Sequence, residues 1–324
     1  MNYVRLGKTG LKVSKLCLGC MSYGTPGWDV HPWVLDEAAS IPFIHDALAR
    51  GINFFDTADF YSRGASEVIL GKALMGVPRD EVVVASKVCL AMGEKPNQKG
   101  LSRKHIMEGV DRSLERLGMD YMDLLIIHRL DHDTPMEETC DALNDVVRSG
   151  RALYIGASSM FAWQFMKMLG IQRANGFAEF VSMQNFYNLV YREEEREMMP
   201  LCLSEQIGVT PWSPMARGFL TKGIDESATS RAGTDRLALG YFGTDADHAV
   251  LAAVRGVAAD LKVKPAQVAL AWVLSKAHVC APIVGATRPH HLSDAIAALD
   301  IVLEAEMIEA LEAPYQTRAV QGHS

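Results

Sequence analysis

Residues 123–159, DLLIIHRLDHDTPMEETCDALNDVVRSGRALYIGASS, hold two short apolar runs separated by one helical pattern. The runs Asp123–His128 and Ala152–Ser158 are typical of strands that are buried on both faces of a parallel sheet. Between them, Thr134 is predicted to be the N-cap of a helix in a T-P-M-E capping box, and Gly150 is predicted to end that helix. The stretch therefore predicts a β–α–β unit.

The same alternation of strand and helix continues in both directions along the chain. A helix between Ser102 and Gly118 and another that begins near Pro265 show one apolar face each. Six further apolar runs predict strands: Lys15–Gly19, Asn53–Asp56, Val82–Lys87, Phe180–Gln184, Val209–Trp212 and Ala281–Val284. Eight such strands favour class α/β and a closed (β/α)8 TIM barrel over an open doubly wound sheet. The G-x-G-x-x-G fingerprint of a Rossmann domain is absent from the sequence.

The two ends of the pattern complete this organisation. Residues 3–18 alternate around the turn-like cluster GKTG and predict a β-hairpin that leads into the first strand. A P-loop is excluded there, because Asn2 stands where that motif needs its first glycine. No linker divides the chain, so residues 1–324 are predicted to form a single domain. The stretch 223–247, rich in Gly, Ser, Thr and Asp, is predicted to be an inserted loop and lid.

Composition narrows the class of partner. The sequence is 49% hydrophobic and 22% charged, with a formal net charge of −7. This charge argues against a nucleic-acid or anionic membrane surface, both of which need clustered cations. Neither a secretory h-region nor a run of about 20 apolar residues is visible. We therefore expect a cytoplasmic protein with no nucleic-acid and no membrane partner.

A C-x-x-C pair, Cys17 and Cys20, stands among the six cysteines. Such a pair can mark a redox or zinc site. No second C-x-x-C and no H-x-x-x-H follows, and the pair lies in or beside a predicted strand. Buried structural thiols are the favoured interpretation, with the other cysteines at Cys89, Cys140, Cys202 and Cys280.

Polar side chains stand at the carboxyl ends of successive predicted strands. They are Asp56, Lys87, His128, the pair Ser158–Ser159, the pair Gln184–Asn185 and, after a tryptophan, Trp212–Ser213. In an α/β barrel these ends converge on one face, where active sites are found. A buried charge is costly alone, but charges of opposite sign can compensate each other.

Reduction of a carbonyl group is one reaction that this set of residues could perform. Tyr61, five residues after Asp56, is a candidate proton donor. The unperturbed pKa of tyrosine is about 10, and the ammonium group of Lys87 is expected to lower it. Asp56 would hold Lys87, and His128 would orient the carbonyl oxygen by a hydrogen bond.

Other interpretations of the same residues stay open at this point. Tyr61 and His128 can be ordinary loop and core residues, and Lys87 with Asp56 can be a structural ion pair. His128 with Asp131, His132 and Asp133 resembles a metal cluster, although the last three fit a solvated loop before the Thr134 helix better. No metal is expected. A lyase that forms a Schiff base on Lys87 is a further alternative, disfavoured because Asp56 should keep that lysine protonated.

Four segments resemble the aldo-keto reductases, barrel enzymes that use NAD(P)H. They are RLGKTGLKVSKLCLGCMSYG (5–24), GINFFDTADFYSRGASEVILGKAL (51–74), VVVASKV (82–88) and DLLIIHR (123–129). The resemblance implies that the hairpin closes the bottom of the barrel. It also implies a catalytic tetrad of Asp56, Tyr61, Lys87 and His128.

The resemblance extends to cofactor and substrate contacts. The implied cofactor residues are Gly19, Met21, Asp56, Ser158, Ser159, Gln184, Trp212, Ser213, Pro214, Met215, Arg217, Gly218, Lys222, Gly285, Thr287, Arg288, His291 and Asp294. Trp212 would lie against the nicotinamide ring. A cation such as Arg288 near the adenosine favours NADPH, with NADH as the lesser alternative. The candidate pocket residues are Tyr23, Trp28, Trp33, Phe60 and Met160.

The expected function follows from this resemblance. The segments CLGCMSYG, YREEEREM and VALAWVLSK are similar to those of bacterial reductases. This implies an NADPH-dependent oxidoreductase that converts aldehydes or ketones to alcohols. The partner would be a small-molecule carbonyl substrate, and the protein would be a monomer or a small homo-oligomer. The alternative is a non-catalytic NADP(H)-binding accessory subunit.

Overall fold

The computed structural model describes residues 1–223 and 240–323. Positions 224–239, most of the predicted lid, lie outside the described residues. The ten strands found in the described part are β1 Tyr3–Arg5, β2 Lys12–Ser14, β3 Cys17–Gly19, β4 Phe54–Asp56, β5 Val83–Val88, β6 Met122–Ile127, β7 Ala152–Ser158, β8 Phe180–Gln184, β9 Gly208–Val209 and β10 Ile283–Val284.

Helices alternate with the strands from β3 onward. Their bounds are α1 Glu37–Ala49, α2 Ala65–Ala73, α3 Arg103–Leu117, α4 Met136–Arg148, α5 Ala162–Asn175, α6 Met198–Ser204, α7 Phe219–Lys222, α8 Asp245–Leu261, α9 Pro265–Leu274, α10 Pro289–Ala297 and α11 Ala305–Glu312. Within the described ranges, no helix is both long and apolar enough to cross a membrane.

Strands β3 to β10 form one parallel sheet in the order β10-β3-β4-β5-β6-β7-β8-β9. The segments at its two edges are also joined by backbone hydrogen bonds. Val209 N donates to His278 O at 3.3 Å, and Cys280 N donates to Val209 O at 2.8 Å. Further along, Ile283 N donates to Pro211 O at 2.9 Å. The eight-stranded sheet therefore curls back on itself, and the predicted α/β barrel is confirmed.

Strands β1 and β2 form the predicted antiparallel hairpin. Its turn lies against the chain that enters β9, where Lys8 N donates to Gln206 O at 2.8 Å. Leu6 and Val13 share a buried apolar cluster with Phe54 and Val83, the first residues of β4 and β5. The hairpin thus covers the amino-terminal ends of the strands and leaves their carboxyl ends open.

Helix ends follow the predictions with one exception. Ser102 Oγ accepts a hydrogen bond from His105 N, and Gly118 ends α3 in the left-handed conformation at φ 65°. The prediction of Thr134 as an N-cap is wrong, because the N-cap of α4 is Pro135. The Thr134 hydroxyl instead donates to Asp131 Oδ2 at 2.6 Å in the preceding loop. The first turn of α4 consequently has no side-chain cap.

A close helix contact provides a test of this packing. Gly71 lies in α2, and a Cβ added there would stand 2.3 Å from the carbonyl oxygen of Leu117 at the end of α3. Gly71→Ala must separate the two helices, so we expect a loss of about 2 kcal/mol in the free energy of unfolding. Gly170→Ala in α5 is the matched control, since nothing lies within 4 Å of its added Cβ. That helical alanine should be neutral or stabilising by about 0.5–1 kcal/mol.

Urea unfolding of the two variants measures this difference directly. Equal stability of the two variants would contradict the contact between α2 and α3.

Candidate active site

The carboxyl ends of neighbouring strands bring Asp56, Lys87 and His128 together. Asp56 ends β4, Lys87 lies near the end of β5, and His128 directly follows β6. All three side chains are buried, with exposed fractions of 3%, 1% and 7%. Because β4, β5 and β6 pair in parallel register, the three side chains meet at one edge of the barrel.

Lys87 is the centre of the hydrogen bonds at this edge. Its Nζ donates to Asp56 Oδ1 at 2.5 Å, to the Thr57 carbonyl at 2.8 Å and to the Tyr61 hydroxyl at 3.1 Å. All three N–H bonds of the ammonium group thus have an acceptor. On the other side, Gln184 Nε2 donates to Asp56 Oδ2 at 2.9 Å. Each member of the buried pair therefore has at least one polar partner besides the other.

The charge of Lys87 survives its burial. Desolvation by itself lowers the pKa of a lysine, but the carboxylate of Asp56 and the hydroxyl of Tyr61 outweigh it, so the pKa of Lys87 is raised. Lys87 is therefore an ammonium ion at neutral pH. A neutral amine, which a Schiff base on Lys87 would need, is strongly disfavoured.

Tyr61 differs from the expectation about its acidity. Burial raises the pKa of Tyr61 above its usual value, and the charge of Lys87 offsets only part of this rise. The expected net lowering is thus wrong for the protein without ligands, because desolvation of the phenolate is the larger effect. Tyr61 is consequently a protonated hydroxyl at neutral pH, which is the state that a proton donor needs.

The loop after β4 turns sharply to place Tyr61. The next two residues, Ser62 and Arg63, are non-glycine residues with φ of 48° and 52°. Such left-handed conformations are uncommon in side-chain-bearing residues and often accompany functional sites. The ring of Tyr61 then lies edge-on to that of His128, with 5.6 Å between centroids.

His128 is held neutral. Burial lowers the pKa of His128 well below its usual value, and the charges of Lys87 and Arg129 lower it further. Its Nδ1 is buried without a hydrogen-bond partner among the described residues. The tautomer with its proton on Nε2 therefore leaves one N–H that can donate elsewhere.

A cavity of about 720 Å³ opens over these side chains. Its volume is typical of sites for cofactors and small substrates. Of the predicted residues it is lined by Gly19, Met21, Asp56, Phe60, Tyr61, Trp33, His128, Ser158, Gln184, Trp212, Ser213, Pro214, Met215, Arg217, Gly218, Lys222, Gly285, Thr287, Arg288, His291 and Asp294. Polar strand ends thus continue from the buried pair along one wall to the loops after β9 and β10.

Trp212 is fixed at this wall by two contacts. Its indole Nε1 donates to Ser159 Oγ at 3.0 Å. Its ring stacks on Phe186, with 4.3 Å between centroids and 15° between planes. A flat aromatic side chain in the loop that follows β9 is therefore held at a defined place in the cavity.

The sequence matches the aldo/keto reductase family over residues 15–316. The chain belongs to that family. It is 45% identical over 342 aligned positions to versiconal hemiacetal acetate reductase of Aspergillus parasiticus. This alignment covers 99% of this chain and 98% of the relative. It is 42% identical to a provisionally assigned aryl-alcohol dehydrogenase of Saccharomyces cerevisiae. That alignment covers 97% of this chain and 96% of the relative. An aldo-keto reductase of Alternaria alternata is 37% identical to this chain, in an alignment that covers 99% of this chain and 94% of the relative.

The family membership makes the chain an oxidoreductase that acts on carbonyl or CH–OH groups. The three relatives just named are fungal proteins. They give no support to the expected affiliation with a bacterial branch, which rested on three short segments of the sequence.

Several predicted residues of this aldo/keto reductase lie away from the cavity wall. Lys87 lies behind Asp56, and Ser159 holds Trp212.

Tyr23 is fully buried, and its hydroxyl donates to the Ala286 carbonyl at 3.0 Å. Trp28 packs edge-on against Phe60 and His31, behind the wall. Met160 is also fully buried, in the main apolar cluster.

The adenosine end of the predicted cofactor site has a partner that the sequence analysis missed. Lys264 Nζ forms an ion pair with Asp294, at 2.8 Å from both carboxylate oxygens. In addition, His291 Nδ1 accepts a hydrogen bond from Thr287 N at 3.2 Å. The side chain of Asp294 is thus already engaged, and a second cation besides Arg288 lines this end of the cavity.

The other candidate sites take ordinary structural roles. Cys17 and Cys20 are buried free thiols, and burial raises the pKa of each above its usual range. The carboxylate of Asp131 accepts hydrogen bonds from Leu101 N, Asp133 N and Thr134 Oγ1. Residues 1–223 and 240–323 contain no group of three or more His, Cys, Asp or Glu side chains placed to hold a metal ion.

The buried pair makes a prediction about stability. Lys87→Met leaves the Asp56 carboxylate buried with Gln184 as its remaining side-chain donor, so we expect a loss of about 3 kcal/mol in the free energy of unfolding. The double variant with Asp56→Asn removes the stranded charge and should recover part of that loss. Lys72→Met is the matched control, because its ion pair with Glu37 is about half exposed. That change should be below about 1 kcal/mol.

Urea unfolding at neutral pH measures all three variants. A double variant no more stable than Lys87→Met alone would show that the charge pair is not the source of the effect.

Proposed function

We propose that this chain reduces aldehydes and ketones to alcohols with NADPH, and that Tyr61 gives the proton to the carbonyl oxygen. One observation carries the proposal. The protonated hydroxyl of Tyr61 lies 3.1 Å from the ammonium group of Lys87 and lines the cavity beside His128. A hydroxyl in that position can lose its proton next to a fixed positive charge.

The residues along the cavity fit a nicotinamide dinucleotide. Trp212 offers a flat face for the nicotinamide ring, and Ser158 and Gln184 stand next to it with polar groups for the carboxamide. The turn at 216–218, with positive φ at all three residues, and the cation of Lys222 suit a pyrophosphate. Lys264 and Arg288 at the far end suit a 2′-phosphate, which favours NADPH over NADH. When bound, this cofactor supplies the hydride.

The protein side chains would divide the remaining work. His128 in its neutral form would donate its Nε2–H to the carbonyl oxygen and so fix its position. Tyr61 would then transfer its proton to that oxygen as negative charge develops there. Lys87 would stabilise the tyrosinate that is left, and Asp56 would keep Lys87 charged and in place.

The aromatic side chains that line the cavity indicate the type of substrate. Trp33, Phe60, Phe219 and Phe242 line the cavity, and an apolar aromatic wall favours a flat apolar substrate. The name of one relative, an aryl-alcohol dehydrogenase, agrees with that preference. We therefore propose aromatic aldehydes as good substrates.

Removal of one hydroxyl tests the proposal. Tyr61→Phe should reduce kcat for benzaldehyde by at least about 1,000-fold, because no other hydroxyl among the described residues hydrogen-bonds to Lys87. The affinity for NADPH, measured from its fluorescence, should change less than about threefold. Tyr154→Phe, outside the cavity, is a control for loss of a tyrosine hydroxyl.

Wild-type rates with NADPH and NADH belong to the same experiment. A tight NADPH complex that turns over no aldehyde or ketone would contradict the proposal and favour an accessory, nucleotide-binding subunit. Undiminished turnover by Tyr61→Phe would remove Tyr61 as the proton donor.

A further inference from the structure

Arg129 is a charged residue of the cavity that the tetrad and the cofactor contacts do not use. It directly follows His128 and lines the same cavity as Tyr61 and Trp212. Its guanidinium lies 5.9 Å from the ring of Trp212. Burial lowers the pKa of Arg129, although an arginine keeps its charge in any case. A permanent cation therefore stands at the reactive end of the cavity.

Among the described residues, Nη1 is the one guanidinium nitrogen of Arg129 that has a hydrogen-bond acceptor in the protein. Nη1 donates to the His128 carbonyl at 2.6 Å and lies 3.5 Å from Ser158 Oγ. Across residues 1–223 and 240–323, neither Nε nor Nη2 hydrogen-bonds to the protein. The side of the guanidinium formed by Nε and Nη2 consequently has parallel N–H donors to offer to a ligand.

Partly buried arginines elsewhere in this protein are paired with acids. Arg79 binds Asp123 at 2.6 Å, and Arg116 binds Glu67 at 2.6 Å. Arg129 has no such carboxylate within 4 Å among the described residues. Because an uncompensated charge away from water is costly, a cavity built around this arginine favours a ligand that brings the missing negative charge.

We propose that Arg129 binds the carboxylate of a substrate, so that the preferred substrates are aromatic aldehydes or ketones that also carry a carboxylate group. The inference rests on the proposed reductase function and specifies its substrate class. The Nε–Nη2 edge matches the two oxygens of a carboxylate in a bidentate pair. Since Nη1 is tied to the main chain of His128, this pair would also set the distance between the carboxylate and the reactive carbonyl.

A pair of near-isosteric substrates tests the proposal. We compare kcat/KM for 4-carboxybenzaldehyde and for its methyl ester, methyl 4-formylbenzoate, with the 3-substituted pair in parallel. The wild-type enzyme should prefer the acid by at least about tenfold in one of the two pairs. Arg129→Met should lose that preference through a fall in kcat/KM for the acid, while kcat/KM for the ester changes less than about threefold.

Arg129→Lys serves as the second variant. It keeps the charge but lacks the bidentate fork, so it should retain an intermediate preference for the acid. The affinity of each variant for NADPH should equal that of wild type, because the proposed ligand is the substrate.

Four results would overturn the inference. Equal losses for acid and ester would show that Arg129 only positions His128, and weakened NADPH binding would assign it to the cofactor. Wild-type turnover of the ester without any preference for the acid would remove the carboxylate subsite while leaving the reductase function intact. No turnover of either compound would overturn the reductase function and the inference together.

Discussion

The ion pair between Lys87 and Asp56 is the interaction on which the candidate site depends. Both groups are buried at the carboxyl-terminal end of the barrel, where a single charge would be very costly. Each is stabilised by the other, and Asp56 also accepts a hydrogen bond from Gln184 at the end of β8. The pair fixes a positive charge beside the Tyr61 hydroxyl. It also helps to keep His128 neutral, because a second cation nearby is unfavourable.

The barrel makes this arrangement possible by separating two tasks. The amino-terminal ends of the strands are covered by the hairpin of β1 and β2, with Leu6 and Val13 in its apolar contact. The carboxyl ends remain open and carry the polar side chains. The apolar contact of the hairpin thus lies at one end of the barrel and the cavity at the other, so charged residues such as Arg129 stand apart from that contact.

Much of this could be predicted from the sequence, because strand ends are visible in it. The apolar runs that end in Asp56, Lys87 and His128 place these residues on one face once a parallel barrel is assumed. The net pKa of Tyr61 could not be predicted, since it depends on how completely distant parts of the chain exclude water. Ser159 and Met160 show a second limit of sequence-based prediction. Their position after β7 was predicted correctly, but packing turns both side chains away from the cavity wall.

Contacts between distant helices were also beyond the sequence. Lys264 is the N-cap residue of α9, and Asp294 lies in α10. No local sequence pattern indicates that the two residues form an ion pair. Arg129 was hidden for another reason. It stands in the stretch DLLIIHR beside His128. Only the three-dimensional structure shows that Arg129 has no acidic partner among the described residues, whereas arginines such as Arg79 and Arg116 have one.

The ionisation of Tyr61 tests the central claim most directly. Protein labelled with ¹³C at the Cζ atom of tyrosine can be titrated by NMR, with Tyr61→Phe to assign the resonance. The account predicts that Tyr61 in the protein without ligands stays protonated up to a pH of at least about 10, because burial outweighs the charge of Lys87. A midpoint near neutral pH would contradict it, since Tyr61 would then be a tyrosinate with no proton to give.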